Sequence, residues 1–281
     1  MVAQIIDGKK IANNLLEEVK QEIEKRTKLG ERHPCLAVIL IGNNPASHVY
    51  VKNKKLACEK VGIKSISYDF DTSITEKDLL TLINEINLNQ NIDGVLIQSP
   101  LPEHIDDNKI INTINPKKDV DGFHPFNIGL LAIRQPKLRS CTPYGVIKML
   151  KASKINLEGL DATIVGVSNN VGRPMALELL LEKCTVTSCH SKTKDLEGKV
   201  RQADLVVVAA GKKNLVRGEW IKNGAIVIDI GINRINDKLV GDVEFDVASQ
   251  KAAFITPVPG GVGPMTVATL MENTLTAQKL L

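Results

Sequence analysis

Much of what can be excluded for this chain follows from what it lacks. Its five cysteines (Cys35, Cys58, Cys141, Cys184 and Cys189) are an odd number with no Cys-x-x-Cys spacing, so neither a disulfide framework nor a zinc site is indicated, and a reducing compartment is the simplest setting. There is no block of five or six like charges; 36 basic and 32 acidic residues leave a net charge of +4, too mild for a nucleic-acid arm but suited to an anionic small molecule. The longest apolar runs are of strand length, well short of the roughly 20 residues a membrane span needs, and the opening MVAQIIDGKK has no apolar signal segment. The expectation is a cytoplasmic protein with no membrane or nucleic-acid partner and no metal centre. No internal repeat or low-complexity tract is visible. What is present is a 43% hydrophobic composition over 281 residues, enough for one large or two modest domains with real cores.

The periodicity alternates between strand and helix. Residues 8–29 carry Ile11, Leu15, Val19 and Ile23 at four-residue steps, the stripe of an amphipathic helix. Residues 36–41 (LAVILI) read as a strand buried on both faces, followed by a helix from Pro45 to about Val61, a strand at 63–70, a helix at 75–87 with Thr75 as N-cap, and a strand at 92–98. The prolines Pro100 and Pro102 cannot continue that last strand, so Gln98 stands at its carboxyl end, the edge where such sheets bind ligands. Residues 115–139 read as loop and short helix. Thr142-Pro143 offers an N-cap and a proline at the first helical position for a helix to about Ser153. Strands then follow at 162–167, 185–189, 204–209 and 225–230, spaced by helical patterns, and a Pro/Gly loop precedes a final helix. The fold class is therefore α/β, with two domains flanking a cleft. Residues 1–140 with 264–281 form the first, and 141–263 form a doubly wound parallel sheet of Rossmann type, the C-terminal helix returning to the first domain.

Four stretches carry candidate chemistry. In DATIVGVSNNVGRPM (161–175) a strand, a tight loop and a helix follow one another, the order that presents backbone N–H groups and a helix N-terminus to phosphate. Its key positions are Gly166, Ser168 and Gly172, one residue longer than the usual glycine fingerprint and with serine for the middle glycine. The second strand of that domain ends in Ser188-Cys189-His190-Ser191-Lys192, with no acid before Asp195; a ribose 2′-OH has no partner here, whereas a 2′-phosphate is tolerated, which points to NADP. Tyr50 and Lys54 lie four apart on one helix face, either as a solvated lysine beside a half-buried tyrosine or as reactive groups. Gln98 at its strand end and Asp121 in a turn-rich loop favour the second reading, because burial disfavours an ammonium and makes an enclosed lysine usable as an acid or base. PVPGGVGP (257–264) is rigid at its prolines and bare at its glycines, so it serves either as a sharp interdomain turn or as a surface against which a flat ligand presses.

Taken together, YVKNKKLACEKVGI (50–63), DGVLIQSPLPEHI (93–105), PKKDVDGF (116–123), GVSNNVGRP (166–174), AIVIDIGIN (225–233) and TPVPGGVGPMTVATLMENT (256–274) closely resemble the bifunctional methylenetetrahydrofolate dehydrogenase/methenyltetrahydrofolate cyclohydrolase family. The resemblance implies NADP-dependent oxidation of 5,10-methylenetetrahydrofolate to the methenyl form, then hydrolysis to 10-formyltetrahydrofolate. It implies Lys54 as the central catalytic residue, Tyr50 against the pterin and reacting ring, Gln98 tuning the lysine, and Asp121 holding the pterin. Pro259, Gly260 and Gly261 would line the folate site. On the cofactor side Gly166, Val167 and Ser168 would meet the phosphates and ribose, Ser191 the 2′-phosphate, and Ile232 the nicotinamide. A homodimer acting on tetrahydrofolates, polyglutamylated or not, is the implied state. Val167 stands where many members carry arginine, and Ser140 where proline is common. Two alternatives remain open: an enzyme with only one of the two activities, and a non-catalytic NADP-binding module.

Overall fold

Residues 2–236 and 238–281 are described by a computed structural model. In chain order its elements are β1 (Gln4–Ile5), α1 (Gly8–Lys28), β2 (Cys35–Ile41), α2 (Pro45–Val61), β3 (Lys64–Phe70), α3 (Glu76–Leu88), β4 (Gly94–Ile97), α4 (Asp107–Thr113), α5 (Pro125–Ala132), α6 (Cys141–Ala152), β5 (Asp161–Val165), α7 (Gly172–Leu181), β6 (Thr185–Cys189), α8 (Leu196–Gln202), β7 (Leu205–Val208), β8 (Ile226–Asp229), β9 (Asn233–Ile235), β10 (Lys238–Val240), α9 (Phe245–Ala248), β11 (Phe254–Ile255) and α10 (Val262–Leu280). They divide into two units: Asn13–Cys141 with Val267–Leu281, and Met1–Ala12 with Thr142–Thr266.

In the unit built on residues 13–141 the sheet is parallel, in the order β3-β2-β4. Every residue of β2 is buried, as its unbroken apolar run requires of a central parallel strand. Helix α3 buries Leu79, Ile83 and Ile86 at four- and three-residue spacing, and Thr75 caps it by accepting from the Asp78 N–H at 3.1 Å. These residues join Ile39, Ile92, Val95 and Ile110 in one core, each buried aliphatic side chain stabilising the unit by about 1.5–3 kcal/mol. A bridge between Val95 and Asp119 extends the sheet beyond β4, drawing residues 119–121 alongside the strand that ends at Ile97, directly before Gln98.

Around residues 142–266 a second sheet is six-stranded and wholly parallel, in the order β1-β11-β8-β7-β5-β6. The four strands expected here are present. Two more, β1 and β11, are only two residues long and too short to leave a period in the sequence. Pairing of Gln4 with Phe254 and Ile5 with Ile255 places residues 2–12 in this unit, against the expectation that they join residues 13–140. A second correction concerns Thr142. Helix α6 opens at Cys141, so Thr142 lies inside its first turn, and its hydroxyl sits 2.9 Å from that of Thr266. Helix α4 was not anticipated; Asp106 caps it by accepting from the Asn108 N–H at 2.9 Å. Among the described residues no helix is long and apolar enough to cross a membrane.

Candidate active site

Helix α2 carries Tyr50 and Lys54. Gly42, at φ +80, ends β2, and the Asn44 side chain accepts from the Ser47 N–H at 3.3 Å, so the helix starts at Pro45 directly beyond the strand's carboxyl end. Val51, Cys58 and Val61 are its buried face. Lys54 is half-buried at the margin of that face, while Tyr50, one turn earlier, is 41% exposed and open to a ligand. Lys54 Nζ donates to Gln98 Oε1 at 3.1 Å. Gln98 Nε2 donates in turn to the Ser99 carbonyl at 2.8 Å, which fixes the amide with its oxygen toward the lysine. The Gln98 N–H is itself held by the Ile39 carbonyl at 2.9 Å, so the side chain leaves a locked strand end.

Asp121 joins them from the segment beside β4. Its carboxyl is pushed up to about 6 by burial; the positive charge of Lys54 pulls it back and the Asp119 carboxylate pushes it further. Two residues away, Asp119 has a different task. Its oxygens accept from the N–H groups of Gly122 (3.1 Å), Phe123 (3.1 Å) and His124 (2.8 Å) and from Asn127 Nδ2 (2.8 Å), which folds the turn around them. Among the described residues no hydrogen bond reaches the Asp121 carboxylate, which stays available to a ligand. Gly122 has to be glycine: its φ is +75, and a Cβ there would come within 2.3 Å of the Arg139 carbonyl carbon.

The remaining candidates lie in the other unit. Strand β5 sits between β6 and β7, the point where the strand order reverses and where ligands bind in open α/β sheets. Gly166, at φ +112, turns the chain there; a Cβ would lie 2.2 Å from the Ala209 carbonyl oxygen, and one on Gly172 would lie 1.9 Å from that of Gly166. Ser168 is exposed, and its hydroxyl accepts from the Val171 N–H at 3.2 Å. Here the serine does what the usual glycine cannot, closing the longer loop onto the start of α7. Among the described residues the N–H groups of Val167, Ser168, Asn169 and Asn170 have no protein acceptor, so the loop fits a phosphate group. Ser191 is exposed beyond β6, in a turn that His190 organises by accepting from the Lys192 N–H at 3.1 Å. Ile232 follows β8 and is 44% exposed. Of the 259–261 loop, Gly260 has φ +100 and its carbonyl accepts from the Lys9 N–H at 3.0 Å, while a Cβ on Gly8 would lie 1.9 Å from the Gly261 oxygen. The first turn of α1 thus braces that loop, a partnership 250 residues apart that no sequence pattern announces.

Some residues on which this geometry depends escaped the sequence reading. Lys118 is buried, and its ammonium donates to the carbonyls of Ile86 (2.8 Å) and Asn89 (2.7 Å) at the end of α3. Asn273 in α10 donates to the carbonyls of Val120 and Arg139, both at 2.8 Å, and so brackets Asp121. The only hint of the division of labour around Asp121 was the pair of aspartates before glycine in KKDVDGF, the pattern of an Asx-type turn.

Over nearly its whole length the chain is similar to known proteins. Residues 6–121 match the family model described as tetrahydrofolate dehydrogenase/cyclohydrolase, catalytic domain, and residues 140–281 match that family's NAD(P)-binding domain. The bifunctional protein FolD of Methylobacillus flagellatus is 64% identical over 281 residues, covering 100% of this chain and 97% of the relative. The crystal structure of the bifunctional FolD enzyme of Campylobacter jejuni is 51% identical, covers 99% of this chain and 100% of its own, and superposes with a TM-score of 0.97. The Trypanosoma brucei FolD structure, complexed with NADP cofactor and an inhibitor, is 39% identical over 100% of this chain and 98% of its own, with a TM-score of 0.95. With both domains matched over nearly all its length, the chain belongs to the tetrahydrofolate dehydrogenase/cyclohydrolase family and is a bifunctional folate enzyme.

Proposed function

We propose that Lys54, Tyr50, Gln98 and Asp121 carry both reactions, with NADP⁺ as the oxidant of 5,10-methylenetetrahydrofolate. The observation that carries the reading is the Lys54–Gln98 hydrogen bond at 3.1 Å, with the unbonded Asp121 carboxylate close enough to feel the lysine's charge. The chemistry supplied by NADP⁺ when bound is acceptance of hydride at the nicotinamide C4. For that step the residues hold the substrate: the Tyr50 ring lies along its flat face, and Asp121 accepts hydrogen bonds from pterin N–H groups. Positioning carries the oxidation. In the second step water adds to the methenyl carbon; Lys54 takes one of its protons and returns it to N5 as the carbon–N5 bond breaks, while the remaining hydroxyl proton is released to solvent as the formyl C=O forms, giving 10-formyltetrahydrofolate. Gln98, its amide locked by Ser99, aims the lysine. Residues 259–261 line the folate site. Val167 and Ser168 with Gly166 face the phosphates, Ile232 meets the nicotinamide, and Ser191 accepts the 2′-phosphate, the absence of an acid before Asp195 supporting NADP over NAD.

Homodimers and a cytoplasmic setting complete the proposal. Strand β3 is the open edge of its sheet with Ile66 exposed, a surface that a second copy covers, and all five cysteines are free and buried, as suits a reducing compartment. Mixing the protein with methylenetetrahydrofolate and NADP⁺ gives a methenyl absorbance that rises and then decays to formyl product, and a parallel run with NAD⁺ is much slower. Failure to turn over at saturation, or equal rates with both nucleotides, contradicts the reading.

A further inference from the structure

Asp242 is wholly buried, and no motif considered above includes it. Its Oδ2 accepts from two consecutive backbone N–H groups, Ala210 and Gly211, both at 2.7 Å, where the chain leaves β7. Its Oδ1 accepts from Asn233 Nδ2 at 2.9 Å, where the chain has left β8. One carboxylate therefore ties together the two loops that follow neighbouring strands of the sheet. Asp229 locks Asp242 in turn, accepting from the N–H groups of Gly231 (2.9 Å), Asp242 (3.0 Å) and Val243 (2.9 Å). The fit leaves no slack: a Cβ on Gly231 would lie 2.2 Å from the Asp242 carboxyl carbon, and one on Gly241 would lie 1.9 Å from an Asp229 oxygen.

What the clasp holds is one side of the switch point. Ala209 packs on Gly166, so the loop after β7 forms the wall beside the phosphate turn, and exposed Ile232 directly precedes the clasped Asn233. Ser191, which the proposed function assigns to the 2′-phosphate, is on the opposite side, after β6. A dinucleotide lying across β5 with its adenosine end at β6 must put its other end on the β7 and β8 side. We infer that Asp242 is a positioning residue for the nicotinamide half of the cofactor, setting the loops after β7 and β8 before the cofactor arrives and leaving the adenosine half untouched. The inference rests on the proposed orientation of NADP, with Ser191 at the 2′-phosphate.

Two ligands separate this role from general support of the fold. NADP⁺ uses both halves of the site, while adenosine 2′,5′-bisphosphate uses only the adenosine half. Calorimetric titration of Asp242→Ala is expected to show NADP⁺ affinity lowered about tenfold or more and bisphosphate affinity within about twofold of wild type, since a buried acceptor serving three donors is lost from one side only. Asp242→Asn keeps one oxygen, and Asn233 can turn its own amide to meet the new NH₂, so a smaller loss in the same direction is expected. If Asp242→Ala does not fold, the Asn variant decides. Equal weakening of both ligands, or of neither, overturns the inference. Weakening of NADP⁺ and the bisphosphate in Ser191→Ala tests the underlying orientation separately; its failure would overturn that orientation and the inference built on it, whatever Asp242→Ala does.

Discussion

Asp119 and Asp121 stand two residues apart in one turn, and hydrogen bonding decides which of them is free to act. Asp119 uses both oxygens on four donors; Asp121 has burial as its main perturbation, with Lys54 opposing it. Because its folded pKa of about 6 lies above the ordinary carboxylate value, the folded state holds this proton more tightly than the unfolded chain. Stability from this group is therefore full below the ordinary value and is lost as pH rises toward 6. Asp121→Asn, which has nothing to ionise, is expected to melt at or above wild type at pH 7.5, with the difference closing near pH 4.5, while its KM for folate rises; a lower melting temperature at both pH values contradicts this. Lys54→Met removes the charge that restrains Asp121, so the carboxyl resonance of Asp121 in carbon NMR is expected to titrate at higher pH than in wild type. An unchanged midpoint would separate the two side chains. Asp119→Asn, by contrast, exchanges an acceptor for donors facing N–H groups and is expected to destabilise the fold by about 2–4 kcal/mol in denaturant unfolding.

Elements turn these residues toward one another, and their placement depends on contacts of different sequence range. The phosphate turn is local: Gly166, Ser168 and Gly172 were legible because strand, loop and helix follow within a dozen residues. Its departure from the usual fingerprint has a physical reason, since Ser168 caps the loop from within. Gly172→Ala would put a methyl against the Gly166 carbonyl and is expected to cost about 1–3 kcal/mol of stability and to weaken NADP⁺ binding; wild-type binding would contradict the close packing. Asn273 is the opposite case, because its partners Val120 and Arg139 are more than 130 residues away in sequence. Replacing it by Leu removes both bonds, leaving the Arg139 carbonyl without this donor and that of Val120 with the Cys141 thiol alone, and a loss of about 1–3 kcal/mol is expected to appear in denaturant unfolding together with a raised KM for folate. A change in stability alone would show that Asn273 supports the fold without placing Asp121.

At the scale of the molecule, the βα alternation of both units was readable because buried parallel strands are continuous apolar runs and the helices carry stripes. The two-residue strands β1 and β11 were not, since so short a strand has no period, and it is their pairing that assigns residues 4–5 to the six-stranded sheet. The residues nominated for chemistry sit on one face of α2, at strand ends and in the loops that follow them, positions that local sequence pattern marks. The residues that hold them, Asp119, Asn273, Gly8 and Asp242, act through pairings that only the folded chain reveals. Reacting groups and nucleotide loop belong to different units, each with its own core, so catalysis and cofactor binding are separable by mutation. The most direct test is Lys54→Met measured two ways on the same preparation: hydrolysis of pre-formed methenyltetrahydrofolate without nucleotide, and calorimetric binding of NADP⁺. Hydrolysis is expected to disappear while NADP⁺ binds as in wild type. Sustained hydrolysis would remove Lys54 from the mechanism.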